Sequence, residues 1–269
     1  MIIKIKNNNI PPEGNNSNLF ERLSTYISKV DKDWVNKIKS AKKESIDLLK
    51  KLSQIEKVTS DFPEVYKIFL EHMGENDEEL MRAQYPGPSS IKELLWLYEW
   101  INKYAQERLN PYYLHFCRTD LVCGELSFDL GSDINNPRII ETDEGKYVGF
   151  FAENFEKLLF QNAFLKYEKL YHNKYIRFAG SKNMLDKALE SYEVTDIFEI
   201  VKEFSIDNNC EKAWFSDQRH FICANNELSF FVLKQDQSVA GFIAGDDNEY
   251  ISDLAKTITY KIGTKIKIH

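Results

Sequence analysis

The spacing of the apolar residues changes twice along this chain, and this change constrains its fold more than any other feature. Over residues 31–105, apolar side chains recur every three or four residues, which predicts helices with one buried face. From Tyr112 to Ala152 they alternate with polar residues, which predicts strands. The helical spacing returns over residues 153–170. The chain therefore has several helices, a set of strands and a further helix in succession.

Three helices are predicted before the strands. The first covers Asp31 to Ile55, and the second begins at Pro63, whose missing N–H costs little in a first helical turn. The second helix carries one apolar stripe and ends at Gly74, for which we expect a left-handed C-terminal cap. Ser90 has the spacing to cap the third helix, with Glu93 three residues later.

The chain divides into a lead-in and two predicted domains. Residues 1–29 form the lead-in, which contains a stretch rich in Asn, Pro and Gly. Residues 30–170 form the first domain. Residues 171–269 predict a strand, two helices, three strands, a helix and a strand, so we expect a smaller accessory α+β domain there.

The charge of the chain is uneven. The formal net charge is −7, and residues 58–170 hold eleven basic and twenty acidic side chains. This balance argues against nucleic acid as a partner and favours a basic one. No segment reaches the ~18 apolar residues that span a bilayer, and the N-terminal stretch lacks the apolar core of a signal peptide. We therefore expect a cytoplasmic protein without a membrane partner, whose four cysteines are buried free thiols.

Catalytic and cofactor motifs are missing from the sequence. It contains no GxGxxG, GxxxxGK[ST], HExxH, CxxC or GxSxG pattern, and its five histidines are isolated. We therefore expect no enzyme activity, no cofactor and no metal.

Two acidic clusters remain as candidate sites. The first contains Glu75, Asp77, Glu78 and Glu79, and the second contains Glu141, Asp143 and Glu144. Such clusters form a solvated surface, a partner-binding surface or, in a defined cleft, a pair of catalytic carboxylates. Tyr85 lies in a Pro-Gly loop beside the acids, and we expect it to be an exposed anchor for a partner.

Six aromatic residues are predicted to lie in the core rather than on a binding surface. They are Tyr66, Phe69, Trp96, Trp100, Phe128 and Phe155.

Three motifs in order resemble the SUKH superfamily, which includes fungal cell-wall regulators of the Smi/Knr type and bacterial immunity proteins of polymorphic toxin systems. The first consists of Phe62, Pro63, Tyr66, Phe69, Leu70 and Gly74. The second consists of Gly124, Glu125, Leu126, Phe128 and Asp129. The third consists of Ala152, Phe155, Leu158 and Leu159.

The resemblance covers roughly residues 30–168 and departs from the family in two places. The family often has a second Gly or an Asn-Gly after its first helix, where this chain has Glu75-Asn76-Asp77. Residues 171–269 match nothing in the family.

The resemblance implies a fold and a function. The fold is α+β, with a mainly antiparallel sheet packed against helices, and the family shares no catalytic residues. The function it implies is that of an immunity protein, which binds and neutralises a cognate toxin. Combined with the acidic middle of the chain, this predicts a toxin with a basic surface. A regulatory scaffold of the Smi/Knr type is the alternative, and a carboxylate-dependent hydrolase is a weaker one.

Overall fold

A computed structural model describes residues 10–85, 87–118, 124–235 and 238–267. The chain divides into two compact units, of which the first is Glu13–Lys166 and the second is Tyr167–His269 with the segment ending at Pro12. The first unit holds an antiparallel sheet of four strands and the second an antiparallel sheet of six. The predicted α+β fold in two parts is therefore confirmed. Residues 13–29, assigned above to the lead-in, belong to the first unit and include a helix.

The first unit places helices on both sides of its strands in the sequence. Its α-helices are α1 Leu19–Ile27, α2 Trp34–Lys37, α3 Lys43–Ser53, α4 Glu64–Met73, α5 Ile91–Tyr104 and α6 Phe155–Ala163. Short 3-10 helices cover Asn16–Asn18, Ile55–Lys57, Met81–Ala83 and Gln106–Arg108. The strands, in spatial order, are β1 Tyr113–Arg118, β2 Gly124–Asp129, β3 Arg138–Asp143 and β4 Lys146–Ala152.

The core of the first unit is aromatic. Tyr66 on α4 is fully buried, and its ring centroid lies 4.9 Å from that of Phe128 and 5.5 Å from that of Phe155. Phe116 on β1 and Phe69 on α4 complete the cluster. Edge-to-face and tilted contacts of this kind add to the stabilisation that burial itself gives. The stripe predicted for the second helix is confirmed, because Val65, Tyr66, Phe69, Leu70 and Met73 are all buried.

Two local predictions in this region are wrong. The helix predicted from Asp31 to Ile55 is interrupted, because Lys39 is extended and forms an isolated bridge with Asn76. Gly74 has a φ of −67°, so it is not left-handed. A Cβ at Gly74 would lie 2.7 Å from the carbonyl oxygen of Leu70, so close packing is the reason for glycine at this position.

Strand β1 contains a bulge. His115 pairs with Ser127 and Cys117 pairs with Leu126, which leaves Phe116 as an extra residue on this strand. Phe116 packs against Phe128 on the core side of the sheet, with 4.7 Å between ring centroids. His115 bonds to Ser127, which alternates with the core residues Leu126 and Phe128 and so lies on the opposite face.

The second unit has its own apolar core. Its α-helices are α7 Lys169–Tyr171, α8 Lys182–Tyr192, α9 Ile197–Asp207 and α10 Asn248–Lys261, after a π-helical turn at Phe164–Glu168. Its strands are β5 Lys174–Ser181, β6 Glu211–Lys212, β7 His220–Ala224, β8 Leu228–Gln235, β9 Ser238–Gly245 and β10 Lys265–Lys267. They lie in the order β10-β5-β9-β8-β7-β6.

The cysteines that the structure describes are free thiols. Cys117 and Cys223 are buried, as predicted, whereas Cys210 is only half-buried. Cys123 lies outside the described residues.

Candidate partner-binding surface

The loop after α4 holds the first acidic cluster in a fixed conformation. The backbone N–H of Lys39 donates to the carbonyl of Asn76 at 2.9 Å, and the N–H of Glu75 donates to the carbonyl of Lys39 at 2.9 Å. The side chain of Asn76 donates to Glu78 Oε1 at 2.9 Å. The extended segment between α2 and α3 therefore supports the acidic loop through these backbone hydrogen bonds.

Asp77 is largely buried, although it also lines the depression beside this loop. It accepts hydrogen bonds from the N–H of Met81 at 3.1 Å and from the hydroxyl of Ser89 at 3.0 Å. Burial raises the pKa of its carboxyl, while these two hydrogen bonds act in the opposite direction. These bonds join the acidic loop to the segment before α5, and the contact of Asp77 with a partner stays a prediction.

Glu78 and Glu79 have left-handed backbones, with φ values of 53° and 59°. Two consecutive residues other than glycine with a left-handed backbone are strained unless surrounding contacts stabilise this conformation. Here the Lys166 ammonium contacts the Glu78 carbonyl oxygen, and Arg82 lies 3.5 Å from the Glu79 carboxylate. Glu78 is half-buried, and Glu79 is exposed.

An open depression of about 270 Å³ lies beside this loop. Its wall includes the exposed carboxylates of Glu75, Glu79 and Glu93 and the guanidinium of Arg82. Carboxylates therefore outnumber cations there, and the depression is suited to a positively charged group.

The second acidic cluster lies at the β3–β4 turn. Asp143 and Glu144 are exposed, whereas Glu141 is half-buried opposite Leu126. In the strand register, Asp143 on β3 lies opposite Gly124 on β2. The next residue of β2, Glu125, lies opposite Arg118 on β1. The backbone N–H of Arg118 donates to the carbonyl of Pro88, a residue that lines the depression.

Tyr85 is buried, so the prediction of an exposed anchor is wrong. It is 7% exposed, and its ring meets Phe151 edge to face at 5.8 Å. Its hydroxyl has no hydrogen-bond partner among the residues that the structure describes. Burial raises its pKa, and the negative charges of Glu141, Glu125 and Asp143 raise it further. The Pro-Gly loop suggested exposure, but the ring packs against Phe151 on β4.

Sequence reasoning missed an exposed aromatic stripe on α5. Trp96, Trp100 and Tyr104 are 48%, 37% and 63% exposed, so the prediction that Trp96 and Trp100 lie in the core is wrong. Two depressions of about 480 and 290 Å³ are lined in part by Trp96. The signal was in the sequence: Leu94, Leu97, Tyr98 and Ile101 already complete a buried stripe, and positions 96 and 100 fall on the opposite side of the helix.

Cations cover part of each ring in this stripe. The guanidinium carbon of Arg118 lies 4.5 Å from the Trp96 ring centroid, and that of Arg108 lies 5.7 Å from the ring of Trp100. Lys103 Nζ lies 4.9 Å from the ring of Tyr104. These contacts are cation–π interactions, which restrain the rings on the surface.

A chain of buried polar groups crosses the sheet face opposite the aromatic core. Arg108 donates to Glu125 Oε1 at 2.7 Å, and the hydroxyls of Ser127 and Thr142 lie 2.9 Å apart. His115 Nδ1 lies 2.7 Å from Ser127 Oγ. Burial raises the pKa of Glu125 to about 7 and lowers that of His115 to about 4. These side-chain types also serve in hydrolysis, but here Glu125 and His115 are 3% and 1% exposed and are closed to a substrate.

The second unit contains a similar buried cluster. Ser229 Oγ donates to Glu168 Oε1 at 2.6 Å, and His172 Nε2 lies 2.9 Å from Ser229 Oγ. A nucleophilic serine needs access to substrate as well as a neighbouring base. Ser229 is fully buried, so the cluster serves to link β8 to the segment before β5.

Over residues 10–85, 87–118, 124–235 and 238–267, no three or more His, Cys, Asp and Glu side chains group so as to hold a metal ion. Within the same ranges, no helix is long and apolar enough to cross a membrane.

Comparison with known proteins gives no relative for this chain. No family model matches it, and neither does any curated protein or solved structure. The resemblance to the SUKH superfamily therefore stays a prediction that depends on the three motifs.

Proposed function

We propose that this protein is an immunity-type binding protein that acts in the cytoplasm and neutralises a cognate toxin of a bacterial polymorphic toxin system by direct contact. The observation that carries the proposal is the depression bordered by Glu75, Glu79 and Glu93. Asp143 and Glu144 extend the exposed negative charge along the end of the first sheet. The three family motifs support the same function.

The geometry suits inhibition by occupation of a basic site. The acidic loop is held by backbone pairing with Lys39, so little conformational entropy is lost when a partner binds. Complementary charge accelerates the encounter of the two proteins and orients them. The partner is a toxin with a basic surface, and no cofactor enters the proposal.

Charge reversal at the depression tests the proposal. We expect the double variant Glu75→Lys, Glu93→Lys to bind the toxin domain encoded by the neighbouring gene at least about tenfold more weakly, because two attractive contacts become repulsive. The melting temperature should change little, since both side chains are exposed. Binding would be measured by biolayer interferometry and neutralisation by survival of cells that express the toxin.

The matched control is Glu190→Lys, Glu203→Lys, which makes the same charge change on α8 and α9 of the second unit. Both of these side chains are exposed. Equal weakening by the two double variants would show a general effect of net charge and remove the depression from the interface. Failure of the wild-type protein to bind the toxin domain or protect cells would overturn the proposed function.

A further inference from the structure

The exposed face of α5 is unusual for a surface helix. Trp96 and Trp100 lie one turn apart and are 48% and 37% exposed, although the opposite face of the same helix already supplies core residues. Large aromatic side chains gain most from burial, and Trp and Tyr are the residue types that dominate binding energy in interfaces. This face therefore has the chemistry of an interface centre.

A groove lined in part by apolar side chains lies along this face. It has a volume of about 480 Å³, within the range of sites that enclose a ligand group. Its lining includes the apolar side chains of Ile91, Leu95 and Trp96. It also includes the charged side chains of Glu75, Glu99 and Lys92. The groove can therefore take an apolar side chain while its polar lining contacts the backbone and neighbours of that side chain.

The groove adjoins the acidic depression. Glu75 and Ser90 line both, so a group bound in one lies next to a group bound in the other. The depression is lined by the carboxylates of Glu75, Glu79 and Glu93 and by one cation, Arg82. This excess of negative charge complements a positively charged group. The two sites together fit an apolar side chain with a lysine or arginine beside it.

The ring of Trp96 is positioned before any partner binds. Arg118 lies over it at 4.5 Å, and this contact restrains the side chain on the rim of the groove. Restraint of this kind lowers the entropy lost on association.

We propose, building on the toxin-binding function above, that the partner inserts an aliphatic or aromatic side chain into the α5 groove against Trp96, contacts Trp100 one turn further along the exposed face, and places an adjacent Lys or Arg in the acidic depression. The aromatic pair provides the long-lived contact. The carboxylates accelerate the encounter of the two proteins and fix their relative orientation.

The variants Trp96→Ala and Trp100→Ala test this division of roles. We expect each to weaken binding of the toxin domain by about 30-fold, mainly through faster dissociation, and with little dependence on salt. Trp96→Phe should retain most of the affinity because it keeps an apolar ring. Tyr260→Ala is the control, since Tyr260 of the second unit is 86% exposed and should not contribute. Near-ultraviolet circular dichroism and thermal melting would establish that each variant is folded.

The outcomes separate this inference from the proposed function. If the wild-type protein binds the toxin domain and the two alanine variants bind equally well, the groove is not the anchor site, although the function stands. If the wild-type protein does not bind, both fail. A dimer in size-exclusion chromatography that Trp96→Ala converts to a monomer would assign the face to a second copy of this chain. Binding of a single-stranded oligonucleotide that Trp96→Ala abolishes would assign it to nucleic acid.

Discussion

Single side chains decide how this protein responds to pH. Glu125 and His115 lie on the same buried face of the first sheet, but burial shifts their pKa values in opposite directions because it disfavours the charged form of each. Arg108 and Arg118 favour the ionised form of Glu125, whereas Asp143 opposes it. Burial is the largest cause and leaves the pKa at about 7.

We expect Glu125 to make the folded state less stable as pH rises from about 4.5 to about 7. The folded protein keeps this proton at pH values where the unfolded chain, with its ordinary pKa of 4.5, has lost it. Urea unfolding of the wild-type protein and of Glu125→Gln at pH 5, 6, 7 and 8 would measure the effect. The free energy of unfolding of the wild type, minus that of the variant, should fall by about 2 kcal/mol across this range.

His115 contributes the opposite slope, because its folded-state pKa of about 4 lies below the ordinary value of 6.5. Its contribution is lost as pH falls from 6.5 toward 4, and subtracting the Glu125→Gln profile removes it from the comparison. A difference between the two profiles that stays constant or grows with pH would contradict the assignment for Glu125.

Residue burial was also where sequence reasoning was least reliable. The stripe through Tyr66 and Phe69 was predicted because its spacing allows one buried face only. Tyr85 was predicted to be exposed but is buried, and Trp96 was predicted to be buried but is exposed. The surroundings of a loop tyrosine, or of a tryptophan on a helix that is apolar on two faces, depend on which elements pack nearby, and spacing does not give that.

Among the elements, the β3–β4 hairpin has the most specific backbone requirement. Its turn contains Glu144 at φ 50° and Gly145 at φ 73°, as the favoured two-residue hairpin turns need. A Cβ at Gly145 would lie 2.3 Å from the carbonyl oxygen of Arg108. The sequence predicted an acidic turn here, but this contact with Arg108 arises only in the folded chain.

Gly145→Ala should lower the free energy of unfolding by about 2 kcal/mol, since it adds both backbone strain and a steric contact. The matched control is Glu144→Ala, at a position where a side chain already occupies a left-handed backbone. That control should differ from the wild type by less than about 0.5 kcal/mol. Equal stability of the two variants in urea unfolding would contradict the requirement for glycine.

The acidic loop after α4 shows why part of the candidate surface was predictable. Its composition placed negative charge there, and Glu75 and Glu79 are exposed as a binding surface requires. The inward turn of Asp77 was not predictable, because its partners Met81 and Ser89 follow from the path of the loop.

For the whole molecule, the sequence predicted the α+β class and two parts, and the structure has both. The order of helical and alternating segments carries this information over long stretches, so errors at single residues do not alter it. The boundary between the two units was harder to predict. It falls between Lys166 and Tyr167, where the sequence pattern predicts one continuous helix.

The net charge of −7 predicts how association responds to salt. If the proposed toxin binding holds, the association rate constant should fall about tenfold or more between 0.1 and 1 M NaCl, as the Debye length shortens from about 10 Å to about 3 Å. Stopped-flow mixing with the toxin domain would measure it. The Glu75→Lys, Glu93→Lys variant should show a shallower slope. A rate that is independent of salt would exclude electrostatic steering.

The bulge at Phe116 has a consequence for tracing the ancestry of this chain. On each side of the bulge, successive side chains alternate between the two faces of the sheet. The extra residue shifts this alternation by one position from one side of the bulge to the other. An ancestor or descendant with a regular strand there would have one residue fewer, and an ungapped alignment would then match interior positions with exterior ones across half of the strand. Distant relatives are best sought with a single insertion allowed at this point.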